Sequence, residues 1–508
     1  MFDMFIQVTR QGGRPLYLQI ADQLRIKIEN GELAPNSRLP ASRVLAKKLG
    51  VNRITIVNAY AELETEGLVV SRVGSGTFVA TAQNTSLAES EVTARWSGPL
   101  PPPRQWNAGL MLSEMMRLAH QPGVISFANG APASEFLPVN EFRRALNDVL
   151  RRDGAAALQY EDAVGYEPLR DTIATYLQQQ GTQVHNSDIL ITAGCQQALD
   201  MTLRLLTRGE NSVLVVEDPC YLGLLELVNT RHITPAGVSL DEAGMQIERL
   251  EQIILRFRPR IIYVTPTYHN PTGVTMPLKR RRALLEIANR YGIPILEDTT
   301  YDELRYEGEL LPSLKSLDTT DLVFLAGGFS KTLVPGIRIG YLVVPSYLRD
   351  RLIAIKQTAD LLTSPLNQRA LYVYLQSGHF AQHLKQVRTA YRERRDTMLA
   401  AMEDHFPSDA RWRCPQGGMY LWVDMPPSGP TATDLYLTAI NYNVAFAIGS
   451  VFSASGSFTH ALRLSFVTHT PQEIEEGIRR LGKAWRELLD RHAKATTPTD
   501  YQPALHIL

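Results

Sequence analysis

Cysteine is scarce in this sequence, with only Cys195, Cys220 and Cys414 in 508 residues, no Cys-x-x-Cys pair and no metal-ligand spacing. That scarcity argues against a disulfide frame and a zinc site and fits a reducing compartment. Long apolar runs are missing as well. No stretch approaches the roughly 20 residues that a membrane span requires, and the opening MFDMFIQV has neither a basic leader nor a long apolar segment, so the sequence predicts a cytoplasmic protein with no membrane partner. Net charge is absent too: 52 basic side chains face 52 acidic ones, and the chain as a whole favours no charged partner. What is present, 44% hydrophobic and 20% charged residues, suffices for several domains with cores of their own.

One stretch concentrates chemistry. From Leu322 to Val344, LVFLAGGFSKTLVPGIRIGYLVV, a β-prone run ends in glycines, Lys331 follows Ser330, and Arg338 comes seven residues later before a second apolar run. A lysine between two buried strands must be paired or have its pKa lowered, and a deprotonated lysine is a Schiff-base nucleophile. Gly327 and Gly328 permit close approach of a ligand, while Ser330 and Arg338 offer a hydroxyl and a forked guanidinium to a phosphate. The order GxxxxGK[ST] is absent, which excludes a Walker A loop.

The first eighty residues have a different character. Leu16, Ile20, Leu24 and Ile28 form one helical stripe, a second helix spans about 41–49 before Gly50, and a third opens after Asn52 with Ile56, Tyr60 and Leu63 on one face. LVVSRVGSGTFVA then reads as two short strands around a Gly-Ser-Gly tip. Between Arg10 and Ala80 ten basic residues stand against six acidic ones, a net of about +4. Three helices and a hairpin give a winged helix-turn-helix order. The string RLPASRVLAKKLGVNRITIVNAYAELETEGLVVSRVGSGTFV resembles the DNA-binding domain of the GntR regulators. The resemblance implies double-stranded operator DNA as partner, with the third helix in the major groove and the tip from Gly74 to Gly76 near the minor groove. Arg38, Arg43, Arg53, Thr55 and Gly76 are the expected contacts.

Residues 82–107 lose periodicity and run through Gly98-Pro99-Leu100-Pro101-Pro102-Pro103, a linker between domains 1–81 and 108–494; a tail of 495–508 follows. Within 108–494, SVLVVEDP, RIIYVTPTYHNP, GIPILEDTTYDEL and LVFLAGGFSK are β-rich runs separated by helix-length segments such as LKRRRALLEIANRYG, which predicts an α/β fold with a mostly parallel sheet. Each run ends in polar candidates: Asp218 and Tyr221, Asn270, Asp298 and Tyr301, Ser330 and Lys331. Ligands of such sheets bind at the strands' carboxyl ends, so these residues are expected in one crevice. A lysine Schiff base with a carboxylate for a pyridinium nitrogen is what pyridoxal 5'-phosphate requires. Asp298 is the carboxylate, Asn270 and Tyr301 suit the phenolic oxygen, Tyr221 a stacking role, and ITAGCQQALD a helix N-terminus for the phosphate.

From ISFANGAP through LQYEDAVGYEPLRD, TAGCQQALD, EDPCY, TPTYHNPTG and GGFSKTLVPGIRIGY to QGGMYLW and HALRLSFV, the domain resembles the class I aminotransferases of fold type I, a mostly parallel central sheet with a small α/β domain. The resemblance implies that Lys331 carries the internal aldimine, that Gly194, Cys195, Gln196, Ser330 and Arg338 surround the phosphate, that Tyr160 reaches in from a neighbouring subunit of a homodimer, and that Arg463 binds a substrate carboxylate. Gly328 and Cys195 stand where the family usually has hydroxyl residues, and each departure removes a phosphate hydrogen bond, for a combined loss of about 1–2 kcal/mol. A GntR-like winged helix joined to such a domain is the arrangement of the MocR regulators. It implies a transcription regulator that senses pyridoxal phosphate, a small amino compound, or both, through exchange at Lys331, with closure of the small domain altering DNA affinity. The alternative is an active aminotransferase, for which every essential residue is present.

Overall fold

The computed structural model describes residues 16–30, 32–34, 36–65, 68–72, 76–80, 121–207 and 212–496, with Ile6, Val8 and Arg117 besides. The expected linker, Gly31, Gly67, Gly74 and the tail beyond 496 lie outside the described residues. The chain divides into two compact units, 1–105 and 106–508.

The first unit is the winged helix. Helices α1 (Leu16–Glu29), α2 (Ser42–Leu49) and α3 (Arg53–Thr65) precede strands β1 (Val69–Arg72) and β2 (Gly76–Val79), paired antiparallel with Val69 opposite Val79. The predicted stripes form the core: Ile20, Leu24, Ile56 and Leu63 are fully buried, with Leu45 and Val79 against them. Each such aliphatic side chain contributes about 1.5–3 kcal/mol. Gly50 ends α2 in the left-handed region at φ 63°, where its N–H reaches Ala46 O. The Tyr60 hydroxyl donates to Pro40 O at 2.8 Å and ties α3 to the segment before α2.

The second unit is built on a sheet of eight strands in the order β4-β11-β10-β9-β8-β5-β6-β7. They are β4 (Ile189–Thr192), β5 (Val213–Asp218), β6 (Thr234–Asp241), β7 (Gly244–Met245), β8 (Ile261–Val264), β9 (Ile295–Asp298), β10 (Val323–Gly328) and β11 (Gly340–Val343). The run from β10 to β6 is parallel. Every residue of β8 and β9 is buried, as expected of strands covered on both faces. The two ends depart from this: β7 is antiparallel to β6, and β11 is antiparallel to both β10 and β4. The eleven residues joining β10 to β11 contain only a short turn of helix, Pro335–Ile337, and no crossover helix, so the chain doubles back. That excursion carries Ser330, Lys331 and Arg338.

A smaller lobe holds an antiparallel sheet, β12 (Arg411–Trp412), β13 (Tyr420–Asp424), β16 (Ala461–Ser465) and β15 (Ala447–Ile448), and a two-stranded pair of β14 (Val444–Ala445) with β3 (Ile125–Ser126), which precedes β4 in the chain. Its core includes Phe127, Phe446, Phe466 and Trp485, all fully buried. Strand β16 presents Arg463 opposite Trp422 of β13 and Ala447 of β15. None of the described helices is long and apolar enough to cross a membrane.

Candidate functional site

Strand ends β5, β8, β9 and β10 and the turn after β4 border one cavity of about 290 Å³. It is lined by Cys195, Gln196, Tyr221, Asn270, Asp298, Tyr301, Ser330, Lys331 and Arg338 among others, so most residues expected at the site do converge. Asp218 does not. It borders a separate cleft with Trp412 and Trp422, because neighbouring side chains of a strand point to opposite faces and Glu217 takes the inward place. Tyr160 is 83% exposed and outside the cavity lining.

Asp298 ends β9 and receives donors only. Tyr263 OH reaches Oδ2 at 2.9 Å, and Thr300 N–H, Thr300 OH and Cys195 Sγ approach Oδ1 at 3.0, 2.5 and 3.6 Å. The thiol of Cys195 is thus turned to Asp298, and burial pushes it far up, so what this residue offers an anion is its place in the first turn of the helix Cys195–Leu206. Beside that turn Arg338, at φ 53°, donates to Ala193 O at 3.2 Å and to Ser330 Oγ at 3.4 Å. Gly194 has φ +91°, and a Cβ there would lie 2.7 Å from the Arg338 guanidinium. Across from it a Cβ at Gly340 would meet the Cys195 backbone nitrogen at 2.8 Å, so Gly340 is required by the close passage of β11 and Gly194 by its positive φ. Gly328 is different: its nearest neighbour would be 3.4 Å from a Cβ, so the missing hydroxyl does not reflect a lack of room.

Lys331 Nζ donates to Gly130 O at 2.8 Å. Tyr221 is held by its hydroxyl on Gln196 Oε1 at 3.2 Å, and Gln196 is anchored in turn on Gly223 O at 2.7 Å. Asn270 links two groups: its Nδ2 donates to Tyr301 OH at 3.0 Å, and its Oδ1 accepts from Arg463 at 2.9 Å. Arg463 also donates to Ala128 O at 2.6 Å, while its buried Nε has no partner. The guanidinium rests 4.1 Å from the ring centre of Tyr420 and 4.7 Å from that of Phe452.

Several contributors were not foreseen from the sequence: Tyr263 and Thr265 behind Asp298, Gly130 under Lys331, Tyr420 under Arg463, and a pair behind Asn270. Glu217 and His269 are 1% and 2% exposed, with Oε2 and Nε2 3.3 Å apart. Thr265 N–H donates to the same carboxyl oxygen at 2.8 Å, and His269 Nδ1 meets Thr272 OH at 2.8 Å. Arg281, wholly buried, fixes this loop through Pro266 O and Thr267 Oγ1. Burial pushes Glu217 up to about 8 and His269 down to about 3. His269 Nε2 has no other partner, so the pair keeps one proton near neutrality.

Folded Glu217 retains its proton from about pH 4.5 to about 8 while the unfolded chain has released it, so its contribution is present below that window and lost as pH rises through it. Glu217→Gln does not titrate, and because Thr265 N–H and His269 Nε2 both meet Oε2, its amide keeps either the acceptor for Thr265 or a donor for His269, an offset that is constant over this pH range. Between pH 6 and 8 the stability difference should move in the variant's favour by about 2 kcal/mol, read from urea midpoints. Parallel pH profiles would show that the pair does not hold the proton.

In the winged helix Arg38 and Gly76 meet, since a Cβ at Gly76 would lie 2.8 Å from Arg38 Nε. Arg53, at the start of α3, donates to Ser42 Oγ at the start of α2 at 3.4 Å. Arg38, Arg43 and Arg53 are exposed, and Thr55 is half-buried in the first turn of α3.

A lysine between a strand end and a helix N-terminus, facing a carboxylate held by donors, defines an aminotransferase-type site on an aminotransferase-type fold. Residues 122–481 match aminotransferase class I and II, and residues 16–79 match the bacterial regulatory proteins of the gntR family. The chain belongs to the aminotransferase class I and II family and carries a GntR helix-turn-helix domain in front of it, the MocR arrangement. The 2-aminoadipate transaminase of Thermus thermophilus is 38% identical over 386 residues, 74% of this chain and 94% of that protein. YdfD of Bacillus subtilis, an uncharacterized HTH-type transcriptional regulator, is 32% identical over 480 residues, 94% of this chain and 98% of that one. Among solved structures, the α-aminoadipate aminotransferase LysN of Thermus thermophilus, complexed with N-(5'-phosphopyridoxyl)-L-leucine, superposes with a TM-score of 0.72 at 35% identity, covering 78% of this chain and 99% of that one.

Proposed function

We propose that the protein is a transcription regulator that binds operator DNA through its winged helix, as a homodimer, and holds pyridoxal 5'-phosphate and a small amino compound in the Lys331 cavity. The observation that carries this is the bridge Arg463–Asn270–Tyr301 beside Lys331, in a chain that also bears a winged helix. The donor set fits the cofactor. Asp298 suits a ring nitrogen, Asn270 and Tyr301 a phenolic oxygen, Tyr221 a ring face, and the helix N-terminus with Ser330 and Arg338 a phosphate, joined by Tyr160 of the neighbouring subunit. When bound, the cofactor supplies a carbonyl carbon for amine exchange and a ring that withdraws electrons.

The chain's own groups do the rest. Lys331 provides the amine that an incoming amino compound displaces, and Gly130 O receives it. Arg463 binds the compound's acid group, and Asn270 passes that event to Tyr301 through shared hydrogen bonds. Effector occupancy then alters DNA affinity by a coupling free energy of about 1–3 kcal/mol, roughly 5–150-fold. Arg38, Arg43, Arg53, Thr55 and Gly76 are the proposed DNA contacts.

The test loads the protein with pyridoxal phosphate, titrates amino acids, ω-amino acids and amino sulfonates without an oxo acid, and follows cofactor absorbance and operator binding together, on DNA selected from a random pool. A reversible spectral change and a change in DNA affinity should share one midpoint. A compound that shifts the spectrum without touching DNA binding at any concentration overturns the regulatory reading. The intact set of Lys331, Asp298, Asn270, Tyr301 and Arg463 also favours a second reading, transamination of an amino acid, which stoichiometric release of an oxo acid would reveal.

A further inference from the structure

Tyr420 opens β13 and is 3% exposed. Its hydroxyl stands against Gly130: a Cβ built on that glycine would lie 1.9 Å from the phenolic oxygen, so position 130 admits no side chain while the hydroxyl is there. The carbonyl of the same glycine accepts from Lys331 Nζ at 2.8 Å. The lysine amine and the phenol thus both stand against one residue, Gly130. Arg463 covers the ring at 4.1 Å, and Tyr301 OH is 3.5 Å from Tyr420 OH.

The electrostatics set this phenol apart. Burial pushes Tyr221, Tyr263 and Tyr301 upward around the same cavity. Burial acts on Tyr420 as well, but the Lys331 ammonium, then the Arg463 guanidinium and the hydrogen bond with Tyr301, outweigh it and hold Tyr420 below the ordinary phenol value. The groups that face it are Lys331 from the turn after β10, Arg463 from β16, Tyr301 from the turn after β9, and Tyr221 from the turn after β5. None of them is a carboxylate.

We propose that the Tyr420 hydroxyl is the proton carrier for carbonyl exchange at Lys331. This rests on the reading that Lys331 captures the carbonyl carbon of pyridoxal phosphate. Tyr420, as phenolate, takes a proton from the Lys331 ammonium, and the freed nitrogen bonds to the carbonyl carbon. The displaced oxygen acquires a second proton from the nitrogen and the first one back from Tyr420, and leaves as water. Of the ammonium's three protons two depart in that water and one stays on nitrogen, while Tyr420 ends as it began. A group of this kind speeds capture and release alike and leaves the equilibrium where it was.

The experiment is Tyr420→Phe, which keeps the ring under Arg463. Pyridoxal 5'-phosphate capture and release are followed by stopped-flow absorbance across pH, and the adduct is fixed with borohydride and located by mass. Both rate constants should fall about 100-fold, the dissociation constant should change by less than about threefold, and one titration should vanish from the pH–rate profile. Unaltered rates overturn the proposal. So does a fall in affinity that comes from faster release alone, since that is what a merely structural hydroxyl produces. If no adduct forms at Lys331 in the wild-type protein, the Lys331 reading itself fails, a result separable from the behaviour of the variant.

Discussion

Lys331→Ala should leave the protein folded and unable to hold pyridoxal phosphate covalently: borohydride treatment yields no adduct at position 331, and the cofactor washes out in gel filtration. The remaining hold comes from the helix N-terminus, Ser330, Arg338 and the contacts around Asp298, so binding weakens without disappearing. A loss of about 3 kcal/mol, roughly 100-fold or more in affinity, is expected. The substitution also leaves Gly130 O without its donor, a separate cost of about 1–3 kcal/mol to the local structure. Lys331→Gln separates the two effects, because an amide still donates to that carbonyl and forms no bond to carbon. Both variants should lose the DNA response to an amino compound while keeping basal operator binding. A trapped adduct at another lysine in Lys331→Ala would overturn the assignment of the nucleophile.

The parts of this molecule that were legible in the sequence are those in which one local pattern decides the outcome. A four-residue spacing from Leu16 to Ile28 settles which face of α1 is buried, and an apolar run ending in Glu-Asp or Gly-Gly settles where a strand stops and polar chemistry begins. Pairings across the fold were not legible. Nothing local connects Arg463 with Asn270, 193 residues away, or Cys195 with Asp298, 103 residues away. The adjacent Glu217 and Asp218 had to face opposite ways, and only the packing of His269 from the loop after β8 decides which one turns inward. Tyr420 and Gly130 lay in stretches that supported the family resemblance, yet their contact joins positions 290 residues apart that no local pattern pairs. The antiparallel β11 follows from a connection too short for a crossover helix, a matter of length that hydrophobic pattern alone does not reveal.

Arg463→Lys should separate cofactor capture from effector recognition. The guanidinium has five donors; one serves Asn270, another serves Ala128 O, and Nε is buried without a partner. A carboxylate placed against that edge receives two parallel bonds from a rigid plane already stacked between Tyr420 and Phe452. Lysine keeps the charge, but its single ammonium cannot serve Asn270, Ala128 and a carboxylate in that geometry. Losing one charge-assisted bond and the fork together should weaken amino-acid binding by about 3 kcal/mol, roughly 100-fold. Borohydride-trapped pyridoxal phosphate at Lys331 should form as before, since Lys331 meets Gly130 and not Arg463. At effector concentrations that saturate the wild-type protein, the DNA response of the variant should therefore be absent, and it should return only near 100-fold higher concentration. An unchanged amino-acid response would mean that the acid group is bound elsewhere and that the bridge through Asn270 to Tyr301 serves the cofactor alone.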